Sequence, residues 1–171
     1  MPYEGWRTKV YLDSVGKPTV GMGHLLTDDQ REDYPVGATV PQSLLSKWTA
    51  EDLQVSLDAA RKQAKELDLE NDDRFVLVLA SVNFQLGIYW RSKFPSTWNF
   101  IKEKQYEKAV SNILQSRWHN QTPTRTSQFM AELYRLESRP GKRLLIKILI
   151  VVAASVTIGL AMYELRKISK Q

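Results

Sequence analysis

The stretch YEGWRTKVYLDSVGKPTVGMGHLL, residues 3–26, constrains the fold of this chain more than any other part of it. Residues 3–8 are expected to close a short helix that feeds a β-hairpin. Residues 9–12 form its first strand, 13–16 carry the turn signals, and 19–22 form the return strand. Such a hairpin would let Glu4, Asp13 and Thr19 converge on one cleft from three backbone directions. Two carboxylates facing across a cleft are the minimum equipment for cleaving a glycosidic bond. A lone Glu and Asp in a basic stretch are more often solvated charges or caps, so the pair does not decide the chemistry by itself.

Composition narrows the field. With no cysteine among 171 residues there is no disulfide framework, thiol nucleophile or thiolate metal site. The two histidines, His24 and His119, exclude a histidine-rich metal centre, and no cofactor motif is present. The net charge of +5 suits an acidic polymer, an anionic membrane or nucleic acid equally. Nucleic acid is the poorest fit, because the basic residues are dispersed along the folded part.

Residues 28–41 read as a loop, acidic early and punctuated by Pro and Gly later. From Gln42, the residues Leu44, Leu45, Trp48, Leu53, Leu57 and Ala60 recur near helical spacing and predict a long helix to about Glu66. Asn71, Asp72 and Asp73 form a capping cluster ahead of an apolar run, residues 74–86, which Gly87 stops. Its β-branched residues suit a strand, but its length and caps favour a helix buried on all sides. Shorter helices are expected at 95–100 and 105–115, and another begins where Thr122 caps Pro123.

The C-terminus differs from the rest. Residues 144–163, LLIKILIVVAASVTIGLAMY, carry one charge, Lys147. Twenty apolar residues can cross a hydrocarbon core of about 30 Å, so a transmembrane helix is expected there. Basic residues on both sides, in a linker at 139–143 and a tail at 164–171, leave its orientation open. Small residues along the run also suit helix packing in lipid, which leaves a homo-oligomer open. No apolar segment follows Met1, so no signal peptide is expected.

Glu4, Gly5, Arg7, Tyr11, Asp13, Gly16, Thr19, Gly21, Gly23 and His24 follow one known pattern. A second patch agrees: Asn83-Phe84-Gln85-Leu86-Gly87, then SRWHNQTPTR from Ser116 to Arg125. In these residues and their order the chain resembles the phage-type lysozymes, muramidases typified by the lysozyme of the even-numbered coliphages. The resemblance covers about residues 3–137. It implies an α+β fold with a small β-hairpin lobe and a larger helical lobe joined by a long helix, and places the catalytic domain at 1–138.

The resemblance also implies roles. Glu4 would be the general acid, with Arg125 reaching toward it, and Asp13 and Thr19 would hold the attacking water of an inverting enzyme. The Glu4 and Asp13 carboxyls would then lie about 6.5–9.5 Å apart. Gln85 is either a hydrogen-bonding group for the sugar or a satisfied helix cap. Trp118 either walls the cleft or belongs to the core. His24 would pair with Asp52 structurally. The substrate would be the β-1,4 bond between N-acetylmuramic acid and N-acetylglucosamine of peptidoglycan.

One departure stands out: family members have more helix before the catalytic glutamate, and so short a helix cannot support itself. The span further suggests a virion or host inner-membrane location facing the periplasm, with other virion proteins as partners. There the enzyme would open the wall for genome delivery, or act as an endolysin. The alternative is an anchored virion component, or part of an ejection channel, whose degenerate lysozyme fold binds wall without cutting it.

Overall fold

The computed structural model describes residues 6–13 and 15–138. Glu4, the basic linker 139–143, the apolar segment 144–163 and the tail 164–171 lie outside the described residues. Among the described residues, no helix is long and apolar enough to cross a membrane. The chain divides into two compact units, Met1–Phe94 and Pro95–Gln171.

The first unit holds a three-stranded antiparallel sheet in the order β1-β2-β3, with β1 at Arg7–Leu12, β2 at Pro18–Gly21 and β3 at His24–Leu25. Arg7 and Thr8 therefore belong to a strand, which corrects the helix expected through residue 8. The reason lies in their backbone partners. Arg7 pairs with Gly21, and the carbonyl of Thr8 accepts from the Val40 amide at 2.8 Å. The outer edge of β1 is further covered by residues 37–40, where the Val10 amide donates to Ala38 O and Val10 O accepts from the Gly37 amide. Asp13 N–H donates to Lys17 O and Gly16 N–H donates back to Asp13 O, closing the β1–β2 turn. Gly16 takes φ +78° there, a conformation that a side chain disfavours.

Residues 28–41 are not wholly loop. Helix α1, Asp28–Asp33, opens on a capping box: the Thr27 hydroxyl accepts from the Gln30 amide, and Gln30 Oε1 accepts from the Thr27 amide. Helix α2, Gln42–Lys65, follows, and Trp6 donates its indole N–H to Gln42 Oε1 at 2.9 Å. Val10, Val20, Leu26, Val40, Leu45 and Trp48 make the core between sheet and helix.

Helix α3, Asp73–Leu86, packs along α2. Asp72 caps it by accepting from the Phe75 amide, and Gly87 ends it. It is amphipathic rather than buried on all sides: Phe75, Val76, Leu79, Val82 and Asn83 are buried, whereas Leu77 is 63% exposed. That spacing is one helical face, so the β-branched run is paired with a single packing surface. On α2, Ser56, Ala60 and Ala64 recur every fourth residue as a narrow buried stripe, and Asn83 Nδ2 donates to Ser56 O. A short helix α4, Trp90–Lys93, closes this unit, with Trp90 fully buried.

The second unit is all helical in its described part: α5 Pro95–Lys102, α6 Tyr106–Leu114, α7 Arg117–Gln121 and α8 Pro123–Glu137. Helix α6 packs on α5 and α8, burying Tyr106, Ala109, Val110 and Ile113. Ser116 caps α7, and Pro123 sits in the first turn of α8, where its missing N–H costs no helix bond.

Candidate active site

Strand alternation sorts the hairpin residues onto two faces. Val10 and Val20 point to the core, and His24, paired with Val20 across the sheet, shares their side. Tyr11, Thr19 and Leu25 lie directly opposite one another on three neighbouring strands and share the outer face. Arg7 pairs with Gly21 beyond an irregularity in β1, and Asp13 follows the end of β1 at the turn. Asp13 thus stands at the β1–β2 turn and Thr19 on β2, while His24 pairs with Asp52 on the core face.

Asp13 is held by the turn it helps to form. Its Oδ1 accepts from the Val15 amide at 2.9 Å and the Lys17 amide at 2.8 Å. These donors, the Lys17 amide foremost, hold the Asp13 carboxyl below its ordinary value and outweigh the opposing effect of burial. Asp13 is therefore an ionised acceptor at neutral pH. Thr19 is 5% exposed, and its hydroxyl donates to Lys17 O at 3.0 Å. With that proton committed, the Thr19 oxygen has only acceptor capacity left to offer. Two such acceptors are what a water needs in order to be held by both hydrogens.

On the core face, His24 Nδ1 lies 2.8 Å from Asp52 Oδ2, Nε2 lies 3.0 Å from Gln30 Oε1, and the ring stacks on Trp48 at 4.9 Å. Gln30 Oε1 already accepts from the Thr27 amide, which fixes the side-chain amide with its oxygen toward the histidine. Both ring nitrogens thus face acceptors, and the doubly protonated imidazolium fits best. Burial pushes the imidazole pKa down, but the hydrogen bonds to Asp52 and Gln30 and the nearby carboxylates outweigh it, and the net direction is up.

The model of the phage lysozyme family matches residues 1–135. The chain belongs to the phage lysozyme family. Among its relatives, the peptidoglycan hydrolase gp36 of Pseudomonas phage phiKMV is 31% identical over 131 residues, 77% of this chain and 14% of that protein. The probable T4-type lysozyme 2 of Dictyostelium discoideum is 24% identical over 75% of this chain and 86% of its own length. The pre-baseplate central spike protein Gp5 of Enterobacteria phage T4 is 26% identical over 73% of this chain and 25% of its own. The chain has the family's lysozyme-like α+β fold, a small sheet with a mostly helical body.

The remaining expected site residues belong to both units. Gln85 sits half-buried in the last turn of α3, in the first unit. Trp118 is buried in the second unit with its ring 5.9 Å from that of Phe129, a core position there, and Arg125 lies in the first turn of α8. Gln30 escaped the sequence reading, although Thr27 followed three residues later by Gln30 is a capping-box pattern. Arg7, part of the family pattern but given no role there, has its guanidinium carbon 4.3 Å from the centroid of the Tyr11 ring.

Proposed function

We propose that this chain is a muramidase that hydrolyses the β-1,4 bond between N-acetylmuramic acid and N-acetylglucosamine in bacterial peptidoglycan. The reading is supported by two acceptors at the hairpin, an ionised Asp13 in the β1–β2 turn and a Thr19 oxygen whose proton is spent on Lys17 O. A water that donates one hydrogen to each presents its lone pair outward, as the nucleophile of an inverting glycosidase requires. As the water oxygen bonds to the anomeric carbon of muramic acid, Asp13 takes its proton. The departing oxygen of N-acetylglucosamine needs a proton from the opposite side. Asp13, with its lowered pKa, is the wrong group to give it. Glu4, at the position the family resemblance marks, takes that role.

The names of the relatives support the substrate: one is called a peptidoglycan hydrolase and another a T4-type lysozyme. The chain spans only 14% of the phiKMV protein and 25% of the T4 spike protein, so it corresponds to one part of those longer phage polypeptides. The name of the spike protein supports a virion-associated role in wall penetration. In the same proposal, segment 144–163 contacts the membrane, on the strength of its composition. Flotation of the full chain with anionic vesicles tests that part, and failure to float removes it.

The hydrolytic reading is tested on purified peptidoglycan, with the full chain beside Glu4→Gln. New reducing ends from the first protein and none from the second are expected, and proton NMR should show the inverted anomer first. An active Glu4→Gln variant would sink the assignment.

A further inference from the structure

The outer edge of β1 runs in one antiparallel register with residues 37–40, and that register ends in a side-chain bond. The Val10 amide donates to Ala38 O, Lys9 pairs with Thr39, and the Val40 amide donates to Thr8 O. Each step toward the start of β1 is matched by one step toward α2. The next residue on that side is Pro41, which has no N–H to give. Contact resumes one residue further in each direction, where the Trp6 indole N–H donates to Gln42 Oε1 at 2.9 Å. Gln42 is the first residue of α2, whose start has no side-chain cap. Its oxygen serves Trp6 instead of the open amides of its own helix. Trp6 is 37% exposed and stands outside the core between sheet and helix, so the bond is not a by-product of core packing.

Two residues of chain span at most about 7 Å, so an anchor at Trp6 confines Glu4, the residue that the family resemblance marks as the acid. General acid catalysis needs such confinement, because a reacting group misplaced by about 1 Å can cost about a hundredfold in rate. We propose that the Trp6–Gln42 bond is a positioning device for Glu4: it ties the chain beside the acid to the first turn of α2, and so limits where the acid can stand. The inference rests on the muramidase reading with Glu4 as its acid. It makes Trp6 and Gln42 positioning residues rather than catalytic ones.

The test compares the full wild-type chain on purified peptidoglycan with Trp6→Phe, Gln42→Met, the two combined, and Gln42→Glu. Trp6→Phe keeps the ring and removes the donor, and Gln42→Met keeps the length and removes the acceptor. Each should lower kcat about tenfold while KM stays within about twofold. The double variant should be no slower than either single one, because all three lack the same bond. Gln42→Glu retains an acceptor and should keep most of the rate. Thermal unfolding should be nearly alike in all of them, since the bond is exposed. An unchanged kcat in either single variant, losses that multiply in the double variant, or a fall in kcat that tracks unfolding overturns the inference. Should the wild type cut nothing, the muramidase reading fails separately, and carboxyl-carbon NMR of Glu4 decides for the tether. A Glu4 titration midpoint that Trp6→Phe and Gln42→Met both shift supports it, and one midpoint shared by all three proteins overturns it.

Discussion

Thr19 shows how a single hydroxyl acquires a direction. Its donor is spent on a carbonyl two residues back, so the oxygen can only receive, and the neighbouring carboxylate of Asp13 is in the same condition. Replacing Thr19 with Val keeps the branched shape in the strand and removes the acceptor. Positioned proton transfer contributes about 10²–10⁴-fold to rate, and half of the water's clamp would remain on Asp13. Thr19→Val should therefore lower kcat about a hundredfold while KM changes little. Steady-state kinetics on peptidoglycan check it, and an unchanged kcat would remove Thr19 from the mechanism. The roles proposed for Asp13 and Thr19 come from the family pattern. Their protonation could not be read there, because it depends on two backbone amides and a carbonyl that only the closed turn supplies.

Elements were legible in proportion to their apolar faces. Helix α2 was readable from its spacing, and α3 from its caps, though its exposed Leu77 was not. Helix α1 was invisible for a physical reason: none of its residues is buried, so no periodicity marks it. It is held instead by the capping box and by Gln30, whose side chain serves both the Thr27 amide and His24. The start of β1 was misread because its partners, Gly21 and the residues near Val40, are distant in sequence. Gln30→Met keeps the length of the side chain and removes the acceptor. It should destabilise the protein by about 1 kcal/mol, the usual worth of a lost cap. Hydrogen exchange should localise the loss to residues 28–33. Protection left intact there would mean that the capping box does not hold the helix.

For the whole molecule, the turn and the core face of one small sheet set separate pH dependences. Asp13 has a lowered pKa, so its contribution to stability is present above its unfolded value, 3.8, and is lost as pH falls through the folded value. His24 runs the other way. Its folded pKa is raised above 6.5, so its contribution is fully present below 6.5 and is lost as pH rises through the folded value. That contribution spans β3, α1 and α2, because the ring is bound to Gln30 and Asp52 and stacked on Trp48. Asp52→Asn keeps the shape and removes the charge. Asp52 is 37% exposed, so solvent screens the pair, and a loss of about 1–2 kcal/mol is expected at pH 5.5. The gap between wild type and variant should narrow as pH rises past the folded pKa of His24, where the imidazole is neutral in both proteins. Denaturant unfolding at pH 5.5 and at alkaline pH measures it. Thr19, a proposed water acceptor, lies on the opposite face, so the variant should retain most of the proposed peptidoglycan-cleaving rate at temperatures where it is folded. Loss of activity with unchanged unfolding would reverse the assignment and move His24 from the scaffold into the chemistry. A pH-independent gap would leave the pair structural but show that the imidazolium is not what Asp52 stabilises.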